Sequence, residues 1–263
     1  MLGFEHGSID PWEIVSPPYG ESRISILDSN TRDINSKFSA MFEISTSGES
    51  LDSCRLKRGV FRNSCRHLEI KIDAPRAHTQ QGITTEYKWS FQFQQLPMNR
   101  AEFTIMQFHT KHSHGGSPVL QLKLKKDFSL AVSSKKWVLD ESIQRVKARK
   151  KNKYEVLTEQ YGRTASRILE NKWYDVILDV KWELWNSESH DGFVKLKIKD
   201  EDGHYVPFNI GDSLYVNDVA TMNTVDQDFR LGAYWGNKFP SETILLIDEV
   251  SIEVKNNLSE GHY

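Results

Sequence analysis

The feature of this sequence that most constrains its fold is a regular alternation of apolar and polar residues. In residues 194–199 three aliphatic side chains alternate with three lysines, and residues 120–125 and 176–183 show related patterns. Successive side chains of a β-strand point to opposite faces, so each segment has an apolar face and a more polar one. The pattern predicts strands that are buried mainly on one side.

Turn-forming sequences separate these segments. Residues 115–118, 190–192 and 201–203 contain the Gly, Pro, Asp and Ser residues that favour tight turns. Many short strands without intervening helical segments are typical of an antiparallel sandwich or barrel. We therefore expect an all-β fold, an antiparallel sandwich or barrel, in one domain that covers residues 1–263.

One charged segment, residues 140–167, breaks the alternation. Six of its cationic residues lie close together: Arg145, Lys147, Arg149, Lys150, Lys151 and Lys153. We expect a helical or irregular insertion here. It is either a solvated surface excursion or a basic rim that attracts an anionic ligand.

Charge and hydropathy limit the partners of the chain. Its 34 Lys and Arg residues balance 36 Asp and Glu residues, for a formal net charge of −2. A general nucleic-acid binder usually has a strong basic excess, so we expect no nucleic-acid partner. We expect no membrane partner either, because no stretch is apolar enough to cross a bilayer. The first residues lack the basic and apolar segments of a signal peptide.

The two cysteines, Cys54 and Cys65, leave two interpretations open. They are either separate thiols or one disulfide that closes a short loop, and the disulfide would require an oxidising compartment.

Two strand-like segments carry polar side chains suited to a functional site. Gln107 and His109 are two positions apart, so they project from the same face of a strand, and they offer an amide and a titratable imidazole. Arg230, Gly232 and Tyr234 form a second set, in which we expect the glycine to let a ligand approach the backbone. Either set can equally be ordinary surface polarity.

Arg66 is a third candidate, because an arginine can hold a carboxylate with two parallel hydrogen bonds. The alternative is a salt bridge with Glu69. The histidines His109, His112 and His114 have a suggestive spacing, but no Cys or carboxylate joins them nearby, so we expect no metal site there. The carboxylate pair of a sandwich-type glycosidase is also missing from the sequence.

Several short motifs occur along the chain in a fixed order. They are residues 86–90 (EYKWS), 105–109 (IMQFH), 116–120 (GSPVL), 173–176 (WYDV), 180–182 (VKW), 191–194 (DGFV), 230–234 (RLGAY) and 247–250 (IDEV). In this order they resemble the heparin lyase I-like polysaccharide lyases and, more loosely, the alginate and glucuronan lyases. Arg230 stands where the family has a lysine, and Asp228 stands where alginate lyases have a further tyrosine.

The resemblance implies an antiparallel β-sandwich of the jelly-roll type with a concave substrate groove. It also implies β-elimination on a uronic-acid-containing acidic polysaccharide, glycosaminoglycans included. Gln107, Arg66 and Arg230 would neutralise the uronate carboxylate, with His109 as base and Tyr234 as acid. Trp89 and Trp235, or Trp182 and Trp185, would stack on sugar rings. The resemblance also implies a secreted or periplasmic monomer that requires no cofactor, with Asp248 as a candidate ligand for a structural calcium.

Three alternatives to a lyase remain open on the sequence. They are a non-catalytic carbohydrate-binding sandwich, a glycoside hydrolase, and a sandwich with a purely structural or partner-binding role.

Overall fold

The fold is known from a computed structural model of the chain. The structure describes residues 11–15, 22–27, 39–45, 67–110, 119–139, 154–184, 191–217, 221, 227–235 and 240–255. The charged residues 140–153 and both cysteines lie outside these ranges, as do Arg66, His112, His114 and Trp185.

Two antiparallel sheets, each of seven strands, contain nearly all the regular structure of the described residues. Sheet I has the order β1-β4-β13-β6-β7-β8-β9, and sheet II the order β12-β11-β10-β5-β14-β3-β2. The strands are β1 Glu13–Ile14, β2 Arg23–Leu27, β3 Ser39–Ile44, β4 His67–Ile72, β5 Thr84–Gln95, β6 Phe103–Thr110, β7 Leu120–Leu124, β8 Leu130–Leu139, β9 Tyr154–Arg163, β10 Trp173–Lys181, β11 Phe193–Asp200, β12 Leu214–Val216, β13 Gln227–Trp235 and β14 Thr243–Lys255. A short helix, α1 Ala74–Ala77, follows β4, and no helix in these ranges has the length and apolar character to cross a membrane.

A cluster of aromatic rings fills the space between the sheets. Phe108 of β6 and Phe229 of β13 lie 5.1 Å apart, and both rings contact Tyr87 of β5 in the opposite sheet, at 4.8 and 5.0 Å. Each of these side chains is fully buried. Because side chains alternate along a strand, anchoring Phe108 and Phe229 inward turns Gln107 and Arg230 to the outer face of sheet I.

The sequence prediction of an antiparallel β-sandwich is confirmed. The prediction for residues 140–167 was wrong in part, since Tyr154–Arg163 forms strand β9 and pairs with β8 over its whole length. The aromatic and β-branched residues Tyr154, Val156 and Thr158 recur at every second position there. Their strand preference outweighs the charge of the segment.

Gly232 has a packing role rather than the expected role of admitting a ligand. Its φ angle is +127°, and a Cβ atom at this position would lie 2.3 Å from the backbone oxygen of Leu68 and 2.9 Å from the ring of Phe42. The pairing of β13 with β6 is also irregular between Leu231 and Tyr234. Only glycine therefore allows β13 to lie this close to β4.

We predict that Gly232→Ala lowers the free energy of unfolding by about 3 kcal/mol or more, because backbone strain and a clash with a neighbouring strand add together. The matched control is Gly203→Ala. Gly203 also has a positive φ, +80°, but nothing lies within 4 Å of the added Cβ. Its expected loss is about 1–2 kcal/mol. Equal losses for the two variants in denaturant unfolding would contradict the packing role of Gly232.

Candidate active site

A row of polar side chains crosses the centre of the outer face of sheet I. The strand register places Arg230 of β13 between Lys71 of β4 and Gln107 of β6, and Gln107 next to Gln121 of β7. Directly opposed residues on neighbouring strands have their Cβ atoms within about 5.5 Å of one another. The structure thus brings together Gln107 and Arg230, two of the residues proposed from sequence.

A chain of hydrogen bonds runs through this face and ends at a histidine. The Gln121 amide donates to Gln107 Oε1 at 3.3 Å, and Gln107 Nε2 donates to Glu69 Oε1 at 2.6 Å. The other oxygen of Glu69 lies 2.9 Å from His67 Nδ1. An ionised carboxylate only accepts hydrogen bonds, so it holds the imidazole proton on Nδ1 and leaves the Nε2 lone pair available.

Tyr234 lies beside this histidine. The two residues are opposed on strands β13 and β4, and their ring centroids are 4.6 Å apart with 35° between the planes. The His67 side chain is 16% exposed and Tyr234 is half-buried. A phenol and an imidazole, both able to exchange protons, therefore reach the surface at one point.

Arg230 supplies positive charge next to Gln107. Its Nη2 atom lies 3.3 Å from Asp228 Oδ2, and the residue is 8% exposed. Its Nε atom donates no hydrogen bond to the described part of the chain. An arginine with a donor to spare can bind a ligand carboxylate.

Lys71 adds a second cation on the other side of Arg230. Its Nζ atom lies 2.8 Å from Glu13 Oε2 and 3.1 Å from Asp73 Oδ1. Burial alone would lower the pKa of Lys71. The hydrogen bonds to Glu13 and Asp73 and the charge of Asp228 outweigh that effect and raise the pKa above its ordinary value. Lys71 is therefore a permanent positive charge at this face.

Residues 4–251 of the chain match a family model described as polysaccharide lyase. The chain belongs to this polysaccharide lyase family. Two solved structures share its fold. The endo-β-1,4-glucuronan lyase from the fungus Trichoderma reesei is 14% identical, with a TM-score of 0.61 over 95% of this chain and 93% of its own. The marine alginate lyase from Aplysia kurodai is 13% identical, with a TM-score of 0.56 over 94% and 91%. No curated protein sequence matches significantly.

The histidine predicted from sequence lies away from the tyrosine of this polysaccharide lyase. His109 is opposite Asp228, whereas Tyr234 is opposite Thr104. His109 and Thr104 are five positions apart on β6, which corresponds to about 16 Å along an extended strand. The roles of His109 as base and Tyr234 as acid stay a prediction. His67 is the histidine that lies directly beside Tyr234.

The tryptophans proposed to stack on sugars are core residues of the lyase. Trp89 is 2% exposed, Trp235 is 1% exposed and Trp182 is fully buried. The Trp89 ring packs against Phe229 at 5.9 Å. A ring enclosed between two sheets has no face open to a ligand, so the stacking role assigned to Trp89 and Trp235 was wrong. Arg66 and Trp185 lie outside the described residues.

Gln107 is placed as predicted but is fully buried. Its carbonyl accepts from Gln121 and its amide donates to Glu69. Both polar groups of the Gln107 side chain are therefore engaged within the protein.

Sequence reasoning missed His67 and Glu69 as members of the site, although a signal for them existed. In residues 67–72 the apolar Leu68, Ile70 and Ile72 alternate with three polar residues. This alternation indicates a strand whose polar side chains all lie on one face of the sheet. The adjacency of that face to Tyr234 depends on the pairing of β4 with β13, which the sequence does not reveal.

The structural calcium remains a prediction. Asp248 is fully buried, and its Oδ1 atom accepts a hydrogen bond from the backbone nitrogen of Glu249 at 2.8 Å. Across the described ranges, three side chains have ligand atoms close enough to hold a metal only at Asp200, Asp202 and His204, far from Asp248 in sequence.

We predict that Glu69→Gln changes the tautomer of His67, because an amide in this place offers only one acceptor to its two donors. The ¹⁵N chemical shifts of the His67 ring, assigned with a His67→Asn variant, should report a proton moving from Nδ1 toward Nε2. The free energy of unfolding should fall by about 1–3 kcal/mol. Glu43→Gln, at an exposed ion pair with Arg23, is the matched control. Unchanged His67 shifts in Glu69→Gln would refute the assignment.

Proposed function

We propose that this polysaccharide lyase cleaves a uronic-acid-containing acidic polysaccharide by β-elimination. The observation that carries the proposal is that the His67–Tyr234 pair and the two cations Arg230 and Lys71 lie on the same two paired strands, β4 and β13, four positions apart. Glucuronan and alginate, named as the substrates of the two enzymes that share the fold, are both polymers of uronic acids. Elimination from a uronate requires both groups that move protons and cations that bind the carboxylate.

The cations address the first chemical problem of the reaction, which is that the proton at C5 of the uronate is only weakly acidic. When that proton leaves, negative charge spreads onto the carboxylate. Arg230 has a guanidinium Nε without a partner in the described part of the chain, and Lys71 lies directly opposite Arg230 on β4. Preorganised donors and charges of this kind stabilise the enolate-like intermediate.

The His67–Tyr234 pair provides the two proton transfers that the reaction requires. His67 Nε2 takes the proton from C5, because Glu69 holds the other ring nitrogen in its protonated form. Tyr234 then donates to the glycosidic oxygen that leaves C4. General acid and base groups each contribute about 10²–10⁴-fold to such a step.

We predict that incubation with uronate polysaccharides yields unsaturated chain ends that absorb in the ultraviolet. The panel should include glucuronan, alginate and heparin, the last because of the resemblance to heparin lyase I. Tyr234→Phe should lower kcat by at least about 100-fold on the polymer that is cleaved, because only the phenolic proton is lost. Tyr215→Phe, on β12 of the opposite sheet and 55% exposed, is the matched control and should stay active.

Three outcomes would contradict the proposal or a part of it. New reducing ends without ultraviolet absorbance would show hydrolysis. Binding to an acidic polysaccharide with no product at all, even in long incubations, would show a carbohydrate-binding sandwich. A fully active Tyr234→Phe variant would remove Tyr234 from the chemistry.

A further inference from the structure

We propose that the outer face of sheet II carries a second binding site for acidic polysaccharide, built from lysines of β11 and two exposed tyrosines next to them. This lysine–tyrosine patch consists of Lys195, Lys197, Lys199, Tyr205 and Tyr215. It lies in the opposite sheet from the candidate active site. The inference goes beyond the proposed function, because it requires that the polymer binds at the patch and not that it is cleaved there.

Three lysines project from β11 at every second position. The aliphatic residues that alternate with them are buried in the core, so Lys195, Lys197 and Lys199 lie on the outer face of sheet II. Neighbouring lysines of the row are about 7 Å apart along an extended strand. None of the three forms an ion pair with the described part of the chain. The row therefore presents repeated positive charge along one direction.

The acidic side chains of the neighbouring strand β10 bind other groups. Asp179 is directly opposite Lys195, but its Oδ1 atom lies 2.6 Å from Lys255 Nζ. Asp175 is opposite Lys199, and its Oδ1 atom accepts a hydrogen bond from the Ser90 hydroxyl at 2.8 Å. These contacts leave the ammonium groups of β11 to attract an anionic ligand.

Two tyrosines extend the row of lysines with exposed rings. Tyr215 of β12 is directly opposite Lys195 and is 55% exposed, and Tyr205 bridges to Lys199 and is 42% exposed. The Nζ atoms of Lys199 and Lys197 lie 5.0 and 5.9 Å from the centre of the Tyr205 ring. Amine and aromatic ring are thus adjacent at both ends of the row.

This combination of groups fits an acidic sugar polymer. A pyranose ring has a face of C–H groups that packs against an aromatic ring, and its carboxylate or sulfate is attracted by a nearby ammonium group. The chain belongs to a polysaccharide lyase family, so a polysaccharide is the polymer that it meets. A row of charges along a strand matches a ligand whose charges also repeat along its length.

The patch is reached from the candidate active site over one edge of the sandwich. Strand β9 ends sheet I and strand β12 ends sheet II. The two strands meet there, since a Cβ atom on Gly162 of β9 would lie 2.7 Å from the Leu214 side chain of β12. The sheets of a sandwich are about 10 Å apart, so a short oligosaccharide cannot contact both outer faces at once. A long chain that passes over this edge can.

A second contact of this kind strengthens the binding of long chains only. Once a polymer is held at one face, its second contact becomes intramolecular, and the two contacts together exceed either one alone. We therefore expect the patch to lower the KM for a polymer and to leave unchanged both kcat and the KM for a short oligosaccharide.

The experiment removes the charge of the row in the triple variant Lys195→Gln/Lys197→Gln/Lys199→Gln. Binding of glucuronan, alginate and heparin is measured by affinity electrophoresis in the Tyr234→Phe background, which keeps the polymer intact. We expect the triple variant to bind the preferred polymer about 10-fold more weakly, since three exposed charge contacts and the avidity they support are lost. Tyr205→Ala/Tyr215→Ala should weaken binding in the same direction.

The matched control removes three lysines of the same sheet face that are already in ion pairs. Lys88 pairs with Glu86, Lys181 with Asp191, and Lys255 with Asp179 and Glu86. Lys88→Gln/Lys181→Gln/Lys255→Gln changes the net charge by the same amount, yet should weaken binding by no more than about twofold. Circular dichroism verifies that all variants are folded.

The contrary results separate this inference from the proposed function. Equal affinities for the triple variant and the wild-type patch, equal losses in the triple variant and the control, or an equal rise in KM for polymer and tetrasaccharide would each overturn the second site. So would lysine-dependent binding to phosphatidylserine vesicles without binding to any acidic polysaccharide. Patch-dependent binding without unsaturated product from any polymer would support the second site while rejecting the proposed function.

Discussion

The candidate site depends on one buried carboxylate. Glu69 is 1% exposed and connects Gln107 on one side to His67 on the other. Burying a charge costs free energy unless hydrogen bonds compensate for it. The Glu69 carboxylate therefore needs both partners and restrains the side chains of Gln107 and His67. Glu69 is also paired in register with Gly232, whose missing side chain lets the two strands approach. The packing of β13 on β4 thereby sets the place of the imidazole relative to Tyr234.

Much of the fold could be predicted from sequence, because period-two alternation reports strands directly. The same rule placed Gln107 and Arg230 on outer faces, and the structure pairs them. The alternation rule could not identify which strands pair with one another. His109 is proposed because it shares a strand face with Gln107 in a motif that resembles the family. The contact of His67 with Tyr234 is set by strand pairing, which the sequence does not show. The bulge in β13 and the positive φ of Gly232 are likewise tertiary features.

The tryptophans show a second limit of sequence reasoning. Trp89 lies in a strand of alternating pattern, yet alternation alone does not say which of its two faces meets the opposite sheet. The structure turns Trp89 and Trp235 into the core, where large aromatic rings contribute most to burial. The polar face is left with amides, carboxylates and cations. Under the proposed function, the described part of the site would bind its polysaccharide through charge and hydrogen bonds more than through aromatic stacking.

The most direct test is a crystal structure of the Tyr234→Phe variant with a bound acidic oligosaccharide from the polymer that the wild-type protein cleaves. We predict that C5 of a uronate residue lies within about 3.5 Å of His67 Nε2, as a reactive geometry requires, and that the oligosaccharide runs along β4 and β13 toward Arg230. The C4 oxygen should face the ring of residue 234. An oligosaccharide whose C5 faces His109 instead, with residue 234 on the opposite side of the sugar, would contradict the role of the Glu69–His67 pair.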